Sequence, residues 1–173
     1  MAPAQSPPIP PPGAKPRLSD IGWLIVYGAR GLVELVRARL AFDRLEARAI
    51  LARNGVVAAA ARTDPASVNP ALALRISYII PRISARLPWR SDCVIQAMAA
   101  QNWLAAHGLA SEIQIGVERP DDGPFGAHAW LVHHGAIVTG GDIARYELLF
   151  GESPVTATPA SVQKDNSVTG TRA

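Results

Sequence analysis

Apolar residues in this chain change their period at Gly108. Before that glycine they recur every three to four positions, the spacing that lines one face of a helix. After it they alternate with polar residues, the spacing of a strand with one face on a core. Ile21, Leu24, Ile25, Gly28, Leu32, Leu35 and Val36 make the first helical run, with Ser19 or Asp20 as N-cap. The run continues past a break near 41–43 to Leu45, Ala49 and Ile50, and Asn54-Gly55 supplies a stop. Asn69-Pro70 then sets a capping residue before a first-turn proline. The helix it opens turns Leu72, Ile76, Ile79, Ile80 and Ile83 inward, with a kink expected at Pro81 and an end at Leu87-Pro88. The first half is therefore helical.

In the second half Ile113, Ile115 and Val117 alternate through EIQIGVER and predict a half-buried strand. RPDDGPFG is a turn-rich loop, AHAWLVH alternates again, His133-His134-Gly135 reads as a tight turn and AIVTG starts the return strand. The expected fold class is α+β, with helices followed by a small antiparallel sheet.

The ends have a different composition. Residues 1–17 are dominated by proline and small residues and predict a disordered arm; residues 153–173 lack any apolar period and predict a disordered tail. One folded domain is expected over 18–152, with a helical part at 18–86 and the remainder at 87–152. Hydrophobic residues make up 49% of the chain, enough for a core of that size.

The single cysteine excludes an intramolecular disulfide and a cysteine zinc cluster, which fits a reducing compartment. Prolines stand where a signal peptide would be apolar, and the apolar run Ile21–Ala29 meets Arg30 well short of a bilayer-spanning length. A cytoplasmic protein without an integral membrane segment is expected. The net charge of +3 is carried by arginines spread among Glu34, Asp43 and Glu46, the pattern of a solvated helix face and not of a nucleic-acid interface.

The lone cysteine, Cys93, follows two good N-cap residues, Ser91 and Asp92, and opens a helix running through Leu104. Ala97, Ala100 and Leu104 continue its stripe and would let a sheet approach closely. A lone cysteine is as a rule an inert, small hydrophobe. A first helical turn, however, offers unpaired N–H groups and a dipole that favour an anion, which suits a nucleophilic thiol and the oxyanion it would create.

Such a thiol needs a base, and the base needs an orienting group. Of the four histidines, His107 precedes Gly108 as a helix C-terminal residue, and His133 and His134 lie in the turn with solvent exposure expected. His128 lies inside a strand, on the face of Trp130 and Val132, and is the candidate base. Asp142 follows Gly140-Gly141 at the end of the return strand, where a tight turn would bring it back to the imidazole. It is equally placed to start a helix at residues 143–146. Asp121, Asp122 and Glu147 are rival acids of weaker position.

RSDCVIQAMAAQNWLAAHGLASEIQIGV and FGAHAWLVHHGAIVTGGDIARYELL resemble the transglutaminase-like cysteine protease fold, and within it the lasso-peptide leader peptidases, the transglutaminase-like B proteins. The resemblance is specific over about 87–150 and loose over 31–86. It implies a nucleophile helix packed on a small antiparallel sheet, Cys93 as nucleophile, His128 as base and, less directly, Asp142 as third member. It also implies removal of the leader from a ribosomally made precursor, so that a partner macrolactam synthetase can close a ring on the new N-terminus. Residues 19–61 read as helix and do not match the strand-containing winged-helix leader-binding module. The precursor's leader is therefore expected to be recognised by a separate leader-binding protein. No metal or cofactor is implied. Two other readings stay open: an amidase or acyltransferase using the same residues, and a non-catalytic helical module that docks a partner on the apolar helix at 21–36.

Overall fold

The computed structural model describes residues 21–44, 52, 69–118 and 125–151. The arm at 1–17, the caps Ser19 and Asp20, the helical run past Arg44 with its Asn54-Gly55 stop, the loop carrying Asp121 and Asp122, and the tail at 153–173 lie outside these residues. Three helices, α1 (Ile21–Arg44), α2 (Pro70–Ser84) and α3 (Cys93–Ala105), precede four strands: β1 (Glu112–Glu118), β2 (Gly126–His133), β3 (Ala136–Thr139) and β4 (Glu147–Phe150). The strands form one antiparallel sheet in the order β3-β2-β1-β4. This is the α+β architecture expected from the change of period at Gly108.

Helix α3 is the centre of the molecule. Its Ile95, Ala97, Met98, Ala99, Ala100, Trp103 and Leu104 are all buried, because α1 and α2 pack on one side of it and the sheet on the other. A helix buried all round must be small or apolar all round, and the alanine-rich run supplies that. Ala129, Leu131, Ile113 and Val138 carry the core onto the sheet.

Helix α2 follows its sequence closely. Asn69 Oδ1 accepts the Leu72 N–H at 3.0 Å, Pro70 stands in the first turn, and Leu72, Ile76, Ile79 and Ile80 are buried with Ile83 packed against them. Helix α1 does not follow its apolar period. It buries Trp23, Gly31, Glu34, Leu35 and Ala38, and leaves Ile21, Ile25, Leu32 and Val36 exposed. Aromatic and polar contacts set this rotation. Tyr27 stacks on Trp103 with centroids 5.8 Å apart, and its hydroxyl accepts from buried Arg75 at 2.7 Å. Trp23 packs on Tyr78, and buried Glu34 pairs with Arg30 at 2.7 Å. Gly31 lets α1 approach α2 and α3, since a Cβ there would lie 2.8 Å from Ile79 Cγ2.

The hairpin β2–β3 turns on His134 and Gly135, which both have positive φ (46° and 78°), as a two-residue type I′ turn requires. Strand β1 departs from expectation. Ile113 and Val117 are buried on the helix side, but Gln114 on the opposite side is equally buried, so β1 is covered on both faces. The cover is Trp130, whose indole N–H donates to Gln114 Oε1 at 2.8 Å. Gly116 leaves room for that ring, because a Cβ there would stand 2.6 Å from Trp130 Cη2.

Candidate active site

Cys93 is the first residue of α3. Asp92, with φ −63° and ψ 163°, is still extended, and its carbonyl accepts the first helical bond from the Gln96 N–H at 3.1 Å. The Asp92 side chain makes no capping bond and leans toward Arg90 at 3.6 Å, so it leaves the first-turn N–H groups to another acceptor. The entry to the helix is held from behind: the Ser91 carbonyl accepts from Gln96 Nε2 at 2.9 Å and from Ser84 Oγ at 3.3 Å. Cys93 is half-buried against the core.

Its sulfur reaches β2. The Ala129 N–H donates to Cys93 Sγ at 3.4 Å, which sets the thiol against the peptide group joining His128 to Ala129. That N–H is free because β3 pairs with β2 only over Leu131–His133. A donor on the sulfur is a partner that a thiolate can use.

His128 is held by one hydrogen bond and two ring contacts, the farther being the indole of Trp130 with centroids 6.2 Å apart. Its Nε2 meets the Gly140 carbonyl at 2.7 Å. The ring also stacks on Tyr146 with centroids 4.8 Å apart and 28° between the planes. A carbonyl only accepts, so Nε2 carries the proton and Nδ1 of the neutral ring is bare. Nδ1 has no hydrogen bond to a described residue. A base that worked through Nδ1 would need this tautomer. No hydrogen bond joins the imidazole to Cys93 Sγ in this state.

Asp142 stands elsewhere. Its Oδ1 accepts from the Ala144 N–H at 3.0 Å, the residue is exposed, and it makes no hydrogen bond to His128. Gly140 and Gly141 have φ of 115° and 67°, and this bend presents the Gly140 carbonyl to the imidazole before the chain reaches Asp142. No helix follows at 143–146: Tyr146 N–H closes a turn on the Ile143 carbonyl at 3.0 Å and the chain enters β4 beside β1. Glu147 is the first residue of that strand and is exposed.

The other histidines divide. His107 Nδ1 meets the Trp103 carbonyl at 2.9 Å at the end of α3, the helix-terminal role expected of it. His133 is not the exposed turn residue its position suggested. It is 3% exposed and bonded through Nδ1 to the Ala110 carbonyl, because the hairpin turns one residue later, at His134. Among the described residues no three of His, Cys, Asp and Glu stand together as a metal-binding set.

Gly140 and Tyr146 were not singled out from sequence as site residues. Each had a signal: the double glycine before Asp142, and an aromatic eighteen residues after a strand histidine. Neither reveals that a main-chain carbonyl and a ring face meet one imidazole.

Residues 32–150 match the transglutaminase-like superfamily, and this match covers more than half of the chain. The chain belongs to that superfamily. No curated protein and no solved structure matches it. Transglutaminase-like proteins are generally cysteine-based enzymes, proteases or acyltransferases, and the match includes Cys93, His128 and Gly140. No helix among the described residues of this transglutaminase-like chain is long and apolar enough to cross a membrane.

Proposed function

We propose that the chain is a cysteine peptidase that removes the leader from a ribosomally synthesised lasso-peptide precursor. The observation that carries the reading is the placement of Cys93 Sγ on the Ala129 N–H while neighbouring His128 holds its proton on Nε2. The resemblance of RSDC…GV and AHAW to leader peptidases supports the substrate.

Cys93 loses its proton to Nδ1 of His128 and attacks the scissile carbonyl carbon. The first-turn N–H groups of α3, that of Cys93 among them, face the developing oxyanion. The C–N bond breaks as the imidazolium returns its proton to the leaving amine, the new N-terminus of the core peptide. The leader remains as a thioester on Cys93. Water then gives a proton to Nδ1, attacks the thioester and releases the leader as a carboxylate, regenerating the thiol. Asp142 is assigned no step. A separate leader-binding protein delivers the precursor, and a macrolactam synthetase consumes the freed amine.

The test is mass spectrometry of a precursor peptide incubated with the full chain and the leader-binding protein, with and without an added primary amine. The expected product is a single cut between leader and core that disappears in Cys93→Ala and in His128→Ala. Transfer of the acyl group to the amine with no hydrolysis would make the chain an acyltransferase. An intact precursor together with a thiol that iodoacetamide reaches only after unfolding would remove catalysis altogether.

A further inference from the structure

We infer that His128 is oriented by the main-chain carbonyl of Gly140 under a lid formed by the ring of Tyr146, so that the orienting group of this site carries no charge. Such a role presupposes that His128 serves Cys93 as base.

A group that orients a catalytic imidazole must do two things: accept from the nitrogen that does no chemistry, and stop the ring from turning about χ2. The Gly140 carbonyl does the first at 2.7 Å. Tyr146 does the second, lying nearly parallel to the ring at 4.8 Å. Tyr146 is itself held from two sides. Its ring meets Trp130 at 6.5 Å, and its hydroxyl accepts from Arg145 Nη2 at 3.0 Å while Arg145 Nε reaches Glu118 at 3.5 Å.

The position of the carbonyl is equally determined. Gly140 has φ 115°, and a Cβ on it would lie 2.3 Å from Trp130 Cβ, so only glycine can pass over Trp130 at that point. Trp130 is locked to Gln114 and roofs Gly116. The orienting carbonyl is thus fixed through β1 and β2, and the carboxylate two residues later is occupied by Ala144.

The ring of Tyr146 covers one face of the imidazole, and the Nε2–H at its edge is taken by the Gly140 carbonyl. A buried aspartate would stabilise the imidazolium by charge; a carbonyl stabilises it by its dipole alone. Tyr146 is a positioning residue here, acting through His128.

The experiment uses the single cysteine as its own reporter. The rate of Cys93 alkylation by iodoacetamide is followed against pH in the full-length protein and in His128→Ala, Asp142→Asn, Tyr146→Phe and Tyr146→Ala. Asp142→Asn keeps an acceptor for Ala144 and removes only the charge. It is expected to follow the wild-type curve within about threefold, where replacing a carboxylate that orients the imidazole would move the curve toward that of His128→Ala. Tyr146→Phe keeps the ring face and the Trp130 contact and loses only the exposed Arg145 bond, so it is expected to stay closer to the wild-type curve than to that of His128→Ala. Tyr146→Ala falls to the curve of His128→Ala. In parallel, long-range ¹H–¹⁵N spectra of histidine-labelled protein should report the Nε2–H tautomer for His128 in wild type and Tyr146→Phe, and a mixture in Tyr146→Ala.

Should Tyr146→Ala fail to fold, Tyr146→Leu fills the volume without a flat face and takes its place. Collapse of Asp142→Asn to the His128→Ala curve would overturn the inference and make the carboxylate the orienter. So would wild-type rates and tautomer in Tyr146→Ala. If wild type and His128→Ala already coincide, there is no cysteine–histidine pair and the peptidase reading falls with it; a pair that ignores Tyr146 sinks the inference alone.

Discussion

Trp130 fills the space in which a side chain on Gly140 would stand: a Cβ there would come within 2.3 Å of the Trp130 Cβ and 3.0 Å of its Cα. These are atoms at the root of the side chain and in the strand itself, not atoms of the indole. Strand β2 at this point decides which residue can occupy the turn after β3, and that turn presents the Gly140 carbonyl to His128 Nε2.

Gly140→Ala tests that relationship. The substituted residue must adopt φ near 115° or move, and it must also displace Trp130 backbone atoms that cannot rotate away. A non-glycine residue in such a conformation costs about 1–3 kcal/mol, and overpacking against fixed atoms adds a similar amount. The expected outcome is a lower urea midpoint with an unchanged m-value, together with a loss of turnover of about 10²-fold or more, the scale of a general base out of position. Gly141→Ala is the comparison. Gly141 also has positive φ (67°), but nothing lies within 4 Å of a Cβ there, so it should show the strain cost alone and keep most of the turnover.

Gln114→Ala addresses the other end of the same side chain. Gln114 is 2% exposed, and its Oε1 is the acceptor for the buried Trp130 N–H at 2.8 Å. Removing it leaves that N–H without a partner, at a cost of about 1–3 kcal/mol, and opens a cavity besides. Gln114→Ala should therefore be destabilised by more than Trp130→Phe in the Gln114→Ala background adds to it, because the second change removes the orphaned donor. A double-mutant cycle read by chemical denaturation checks this; additive losses would mean that the indole finds another acceptor.

The switch from helical to alternating period at Gly108, the cap at Asn69-Pro70, the inward stripe of α2 and the first-turn place of Cys93 were all legible in the sequence, because each depends on near neighbours in the chain. What was not legible depends on who faces whom. The rotation of α1 is set by Tyr27 meeting Arg75 and Trp103, not by the period of its own apolar residues. The double-sided burial of β1 comes from one indole on β2. Strand β4 is only four residues long and had no alternation to display. Asp142 was the candidate third member by residue type; the contact the imidazole makes is to the Gly140 main-chain carbonyl, which has no letter in a sequence.

Asn69→Ala tests the cap that begins α2. Its Oδ1 is the acceptor for the Leu72 N–H at 3.0 Å, and Pro70 offers no N–H of its own, so the cap serves one of the few donors in that turn. Loss of such a cap costs about 1 kcal/mol. Asn69→Ser and Asn69→Asp, which keep an acceptor, should recover most of it, the aspartate slightly more through its charge at the helix N-terminus. Thermal unfolding distinguishes these, since 1 kcal/mol moves the midpoint of a domain of this size by about 2–4 °C.

Two glycines of α1 give a paired measurement of helix packing. Gly28 and Gly31 sit one turn apart in the same helix, and replacing either by alanine gains the same helix propensity, about 1 kcal/mol. A Cβ at Gly28 meets nothing within 4 Å. A Cβ at Gly31 meets Ile79 Cγ2 at 2.8 Å and Ile83 Cδ1 at 3.1 Å. Cγ2 of a β-branched residue moves only if χ1 moves, and χ1 is stiff in a helix. Gly28→Ala should therefore raise the unfolding midpoint by the full propensity gain. Gly31→Ala should lose that gain to the contact and fall at or below wild type. The difference between the two variants isolates the close approach of α1 to α2, because the propensity term cancels. If Gly31→Ala stabilises as much as Gly28→Ala, the helices can separate at no cost, and the anchoring of α1 passes to the Tyr27–Arg75 and Trp23–Tyr78 contacts alone.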